Sequence, residues 1–254
     1  MQSQAASQET GNDLGDSASA VRYSQQGKDI GAAKNFSWEH PVPRNTFWDD
    51  LSFSVARNFL QAFTAEELRI VRIDPNSTQS KEQRLRLLGK WLKKKLIQQE
   101  AQAAPQSFYD VDYIAWERVM LGSFTIQHEL GDLAGAEETL RFMIDHRKDK
   151  SNLSHLHSLA ALQLDRGQYA EAEETGRKVE AWLIEKLGSD SPQALSAKRV
   201  IILALWKQGR SRHAEAELLL KELQGNVNSM GSGQYAVYQD GERDLMKTLM
   251  SQMD

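Results

Sequence analysis

The chain contains no cysteine, which removes disulfide frameworks, thiolate nucleophiles and cysteine-ligated zinc or iron–sulfur centres from consideration. It also has no long apolar run, since the longest falls far short of the roughly 20 residues that span a bilayer. Met1 to Thr10 carries neither the basic start nor the apolar core of a secretory signal. Charge of one sign is missing too, because 35 acids against 31 bases leave a net charge of −4. A dedicated nucleic-acid binder needs a basic excess to displace counterions from phosphates, so that class is disfavoured. Chain breakers are sparse, with five prolines and 16 glycines in 254 residues, and abundant Leu, Ala, Glu, Lys, Arg and Gln favour helix over strand. What is present is a 40 % apolar fraction, enough to build a core in one or two domains. The expectation is a soluble, intracellular, cytoplasmic, all-α protein with no membrane span.

Composition changes along the chain. Residues 1–43 are dominated by Gln, Ser, Gly and Ala and read as a flexible tail, because so few large apolar side chains cannot offset the entropy of ordering. Residues 44–107 read as aromatic-rich and basic helices that pack on the helical array of residues 108–224. Seven aromatics fall between Phe36 and Phe63 (Phe36, Trp38, Phe47, Trp48, Phe53, Phe59, Phe63). The plainer expectation is a helix over 46–63 that buries these rings, and the alternative is the aromatic wall of a ligand pocket. Thr64-Ala65-Glu66-Glu67 is a capping box for a short helix ending near Ile73. Ser80 to Ala103 predicts a long amphipathic helix with Leu85, Leu88, Leu92 and Leu96 along one stripe. Its other face carries Lys81, Arg84, Arg86, Lys90, Lys93, Lys94 and Lys95, which reads first as a solvated face and second as a site for an acidic partner or lipid. Pro105 closes that helix.

Residues 108–224 contain an internal repeat. Gly131-Asp132-Leu133-Ala134-Gly135-Ala136-Glu137, Gly167-Gln168-Tyr169-Ala170-Glu171-Ala172-Glu173 and Gly209-Arg210-Ser211-Arg212-His213-Ala214-Glu215 share a glycine followed five residues later by Ala-Glu, at steps of 36 and 42 residues. Each lies between two apolar helical runs, which predicts helix–turn–helix units. Glycine ends the first helix in a left-handed conformation, and small Ala136, Ala172 and Ala214 let the second helix pack closely. Paired acids at equivalent positions, Glu137-Glu138 and Glu173-Glu174, read as an exposed outer face. Gly225 to Gly233 reads as a linker to a C-terminal capping helix, roughly 234–250, with Leu245, Leu249 and Met246, Met250 and Met253 as its apolar stripe.

These residues, together with Leu187-Gly188-Ser189-Asp190-Ser191-Pro192, resemble the tetratricopeptide repeat in its longer kinesin light chain form, which implies an α-α superhelix with extra N- and C-terminal helices. The departures are Leu133 and Ser211 where an aromatic is usual, and Lys198 where a large apolar residue is usual. The resemblance further implies that the first helix of each pair lines a concave groove. Carried over by the glycine register, the groove candidates are Arg118, Leu121, Thr125 and His128, then Ser154, His157, Ala161 and Leu164, then Ser196, Arg199, Leu203 and Trp206. Lys and Asn of the carboxylate-clamp kind are absent from these positions, so chaperone C-termini are disfavoured as ligands.

The chain carries few residue patterns of known catalytic or ligand chemistry. No phosphate-cradling glycine loop, nucleophile elbow or HExxH run occurs, and the His155/His157 spacing puts the two imidazoles on different sides of a helix. No catalytic residue, cofactor or metal is expected. The function expected is a non-enzymatic scaffold that binds a peptide or protein in its groove. The competing expectation is an enzyme or small-molecule binder with a pocket between the repeat and the aromatic segment. A homodimer through the Met-rich C-terminal helix is compatible with both.

Overall fold

The computed structural model describes residues 42–43 and 45–253; Phe36, Trp38 and all but the last two residues of the expected 1–43 tail lie outside them. The described residues are all-α, with eleven α-helices, three 3-10 turns and no strand. Among them no helix is long and apolar enough to cross a membrane. They fall into two compact units, 40–146 and 147–254. The division follows His146 rather than residue 107, so the first repeat copy goes with the N-terminal helices and the other two copies form the second unit.

In the N-terminal unit the expected single helix over 46–63 is two pieces. A turn over 45–51 places Asp50 at φ 64°, left-handed backbone that an α-helix cannot continue. Ser52 then caps α1 (Phe53–Gln61) by accepting from the Val55 N–H. Thr64 and Glu67 form the reciprocal capping box of α2 (Ala65–Val71), which stops where Arg72 turns left-handed at φ 48°. Ser80 and Gln83 repeat the device at the start of α3 (Lys81–Ala103). The short α4 (Phe108–Val111) leads into α5 (Tyr113–Glu129), and α6 (Leu133–His146) completes the unit. Helix α5 is the centre, packed on α1, α3 and α6. Phe47, Phe59, Leu88, Leu92, Trp116 and Val119 are buried there. All five described aromatics of the 36–63 segment are buried, Phe47, Trp48, Phe59 and Phe63 in this core, and Trp48, Phe59 and Phe63 form a chain with centroids 6.1 and 4.8 Å apart.

The basic helix α3 is not one solvated face. Arg84 is buried, and its Nη1 donates to the carbonyls of Thr46, Phe47 and Asp49 at 2.8, 2.5 and 2.6 Å, tying down the irregular 45–51 turn. Buried Lys95 holds Glu67 of α2 at 2.6 Å. Lys81 reaches Glu129 of α5 at 2.5 Å. Burial pushes the Glu67 carboxyl up, but the Lys95 ammonium and the Thr64 N–H outweigh it and hold it below the ordinary glutamate range.

The C-terminal unit runs α7 (Ser154–Asp165), α8 (Tyr169–Leu187), α9 (Pro192–Lys207), α10 (His213–Ser229) and α11 (Gln239–Ser251). Helix α8 packs against both α7 and α9, α9 packs against α10, and α11 against both α9 and α10. Helix α10 runs through Gly225 to Ser229, so the segment expected as a linker is mostly helix, and the connection shrinks to two 3-10 turns. Leu249 and Met253 of the C-terminal segment are buried in a core with Leu205, Leu223 and Tyr238, while Met250 stays 42 % exposed.

Candidate interaction surface

The first two repeat turns are built alike. Gly131 and Gly167 sit at φ 78° and 75°, and the next N–H, of Asp132 and of Gln168, donates back to the carbonyl five residues earlier, Gln127 and Gln163, at 2.9 Å each. That is the Schellman pattern, which satisfies carbonyls left open at a helix end. The third turn departs where its sequence departs. With Ser211 in place of an apolar anchor, Gly209 (φ 109°) is followed by a 3-10 turn, Arg210–Arg212, before α10 starts at His213. The register of α10 therefore slips by two residues. Ala214 is exposed and Ala216, fully buried, fills the close-packing place that Ala136 and Ala172 fill in the other copies.

Polar side chains replace the missing anchor. The imidazole of His213 stacks on Trp206 at 3.6 Å and 9°. The Glu173 carboxylate accepts from Arg177 at 2.9 Å, from Arg212 at 2.8 Å and from Gln208 at 2.8 Å, while Glu215 accepts from Arg177 at 2.5 Å and Arg212 at 2.9 Å. Glu173 is thus a junction between α8 and the third turn rather than part of a plain exposed face. Burial raises its pKa, and the hydrogen bonds from Gln208, Arg177 and Arg212 more than reverse this, leaving it below the ordinary range.

The twelve candidate positions separate. Arg118, Leu121, Thr125 and His128 belong to the N-terminal unit. Arg118 is exposed, Leu121 is in the core, the Thr125 hydroxyl donates to the Leu121 carbonyl at 3.1 Å, and the His128 ring lies 6.1 Å from Phe124. In the C-terminal unit Ser154 and His157 are buried, and the Ser154 N–H donates to the Asn152 side chain at 2.9 Å. Arg199, expected to meet a ligand from an open groove, is a correction: it is buried against the fully buried Glu242 of α11, donating from Nη1 to Oε2. No family model, curated protein or solved structure matches the chain. Half-buried Ala161, Leu164, Ser196, Leu203 and Trp206 remain as the accessible part of the face carried by α7 and α9.

Glu242 is outside the set read from sequence, yet a signal for it exists. Position 157 to 199 is a step of 42 and 199 to 242 a step of 43, so α11 continues the repeat spacing with an acid where α9 has a base. Periodicity alone conceals it because no glycine-alanine signature comes after α11. Among the described residues no group of three or more His, Asp or Glu side chains converges as a metal site would require.

Proposed function

We propose that this chain is a non-enzymatic interaction module of tetratricopeptide-like helical hairpins, which binds a peptide or protein partner on the α7/α9 face of its C-terminal unit. The observation that carries this is the consecutive packing of α7, α8, α9 and α10, with left-handed glycines at corresponding helix ends and an alanine fully buried at each close contact. Such units bury their faces only against neighbours and leave one helix of each pair to make a continuous binding surface. The contact surface would be Ala161, Leu164, Leu203 and Trp206, the last with its ring held by His213. Trp at a partly desolvated position is the residue type that dominates interface energetics.

Leu164→Glu tests this on α7, a helix that carries neither member of the Arg199–Glu242 pair. With the circular dichroism spectrum and thermal midpoint unchanged, recovery of a partner by the immobilised full chain is expected to fall at least tenfold. Unchanged recovery overturns the assignment of the face, and a metabolite that shifts Trp206 fluorescence with no polypeptide recovered overturns the scaffold reading. The five described aromatics of 36–63 are buried, four of them in one core, which gives the small-molecule alternative no support from that segment.

A further inference from the structure

Arg86, Lys90, Lys93 and Ile97 recur at i, i+4, i+7 and i+11 on α3, a single straight stripe about 16 Å long. At about 100° per residue it stands roughly 140° around the helix from the Leu85, Leu88 and Leu92 line that enters the core. Lys94 flanks the stripe with its Nζ 4.9 Å from the Trp91 ring centroid. The bases of this helix therefore divide by role. Arg84, Lys95 and Lys81 hold other elements in place, whereas Lys90, Lys93 and Lys94 are exposed and make no ion pair among the described residues. Two acids border the stripe, and both are engaged: Glu82 binds Arg86 at 2.7 Å, and Glu100 accepts from the Phe108 N–H at 3.0 Å. Among these cations Ile97 is 60 % exposed.

We propose that this outer face of α3 docks the protein on a bilayer bearing anionic headgroups. A straight row of exposed cations on a side of α3 turned away from the leucines that enter the core can lie along a plane, whereas an extended peptide calls for a concave seat. An isoleucine among the lysines is suited to the headgroup–acyl boundary, with the lysines at headgroup level. The excess of acid over base in the whole chain makes the attachment depend on this face and on ionic strength.

The test is flotation of the full chain with vesicles of phosphatidylcholine alone or with about a third phosphatidylserine. Binding is expected only to the anionic vesicles and is lost in 0.5 M salt. Each base near an anionic surface strengthens binding about fivefold. Lys90→Gln alone should therefore weaken it about fivefold, and Lys90→Gln/Lys93→Gln/Lys94→Gln about a hundredfold with an unchanged thermal midpoint; Ile97→Ser should weaken it further. Equal binding to both vesicle types overturns the proposal, as does a triple variant that binds like the parent. A poly-glutamate peptide that binds while the vesicles do not transfers the face to an acidic protein partner and also overturns it. None of these readouts involves Leu164 or Trp206, so the outcome is separable from that of the α7/α9 face.

Discussion

The two units bury charge for different purposes. In 40–146 the buried cations Arg84 and Lys95 fasten irregular or short segments, the 45–51 turn and α2, onto a core made mainly of aromatic and aliphatic side chains. In 147–254 the corresponding groups join helix to helix: Arg199 of α9 to Glu242 of α11, Lys198 of α9 to Glu180 of α8 at 3.3 Å, and Glu173 of α8 to Arg212 after α9. Stacked helical hairpins need a directional contact to fix how they pack, and in 147–254 the ion pairs are placed to supply it. Similar apolar faces permit slipped packings that a buried, directional pair excludes, whereas a core of unlike aromatic shapes already permits one arrangement.

The strongest way to break this contrast is to remove one member of the buried pair. Arg199→Met leaves the Glu242 carboxylate buried without its cation and should cost about 3–5 kcal/mol in urea denaturation, whereas Arg199→Met with Glu242→Leu should recover most of the loss. Hydrogen exchange should show α9 and α11 losing protection while α3 and α5 keep theirs. A cost below about 1 kcal/mol, or equal loss in both units, removes the distinction.

Glycine substitutions sharpen it with effects of opposite sign. A Cβ on Gly176 of α8 would lie 2.9 Å from Cγ1 of the fully buried Ile201 of α9, so Gly176→Ala should destabilise by about 1–3 kcal/mol through overpacking. A Cβ on Gly89 of α3 would meet Ile126 at an ordinary 3.6 Å. Gly89→Ala should therefore stabilise by about 0.5–1 kcal/mol through helix propensity, and thermal midpoints of the two variants should move apart.

The smallest expected effect is on acid stability, and here the units should agree. The carboxyls of Glu67 and Glu173 are both held below the ordinary range in the folded protein. Their stabilisation is complete above the unfolded-state value near 4.3 and is lost as pH falls through the lower folded value. Glu67→Gln and Glu173→Gln should each flatten the fall in thermal midpoint between about pH 5 and pH 3. A slope unchanged from the parent in either variant removes that carboxylate from the acid response of its unit.

The local elements are legible to the extent that short-range chemistry determines them. The Thr64–Glu67 capping box, the Ser80 start of α3 and its leucine stripe are set by contacts within four residues. So are the helix ends at Gly131 and Gly167, where a left-handed turn needs no Cβ. The break within 46–63 is not legible because Asp50 carries no sequence mark of its left-handed backbone, and it is the distant Arg84 that holds that turn. The two-residue slip at Ala214/Ala216 is hidden for a similar reason, since it depends on Trp206, His213 and the Glu173 junction meeting across two helices.

Sequence by itself determined the all-α class, many of the helix boundaries and the repeat spacing, because hydrophobic period, capping and glycine act over one or two turns. Only the tertiary structure decided which bases of α3 turn inward and which remain outside, where the chain divides, and that Arg199 meets Glu242 instead of an open groove. Burial of a charge depends on which partner arrives from a distant part of the chain, and helical periodicity places a side chain on a face without saying what the opposing face will be.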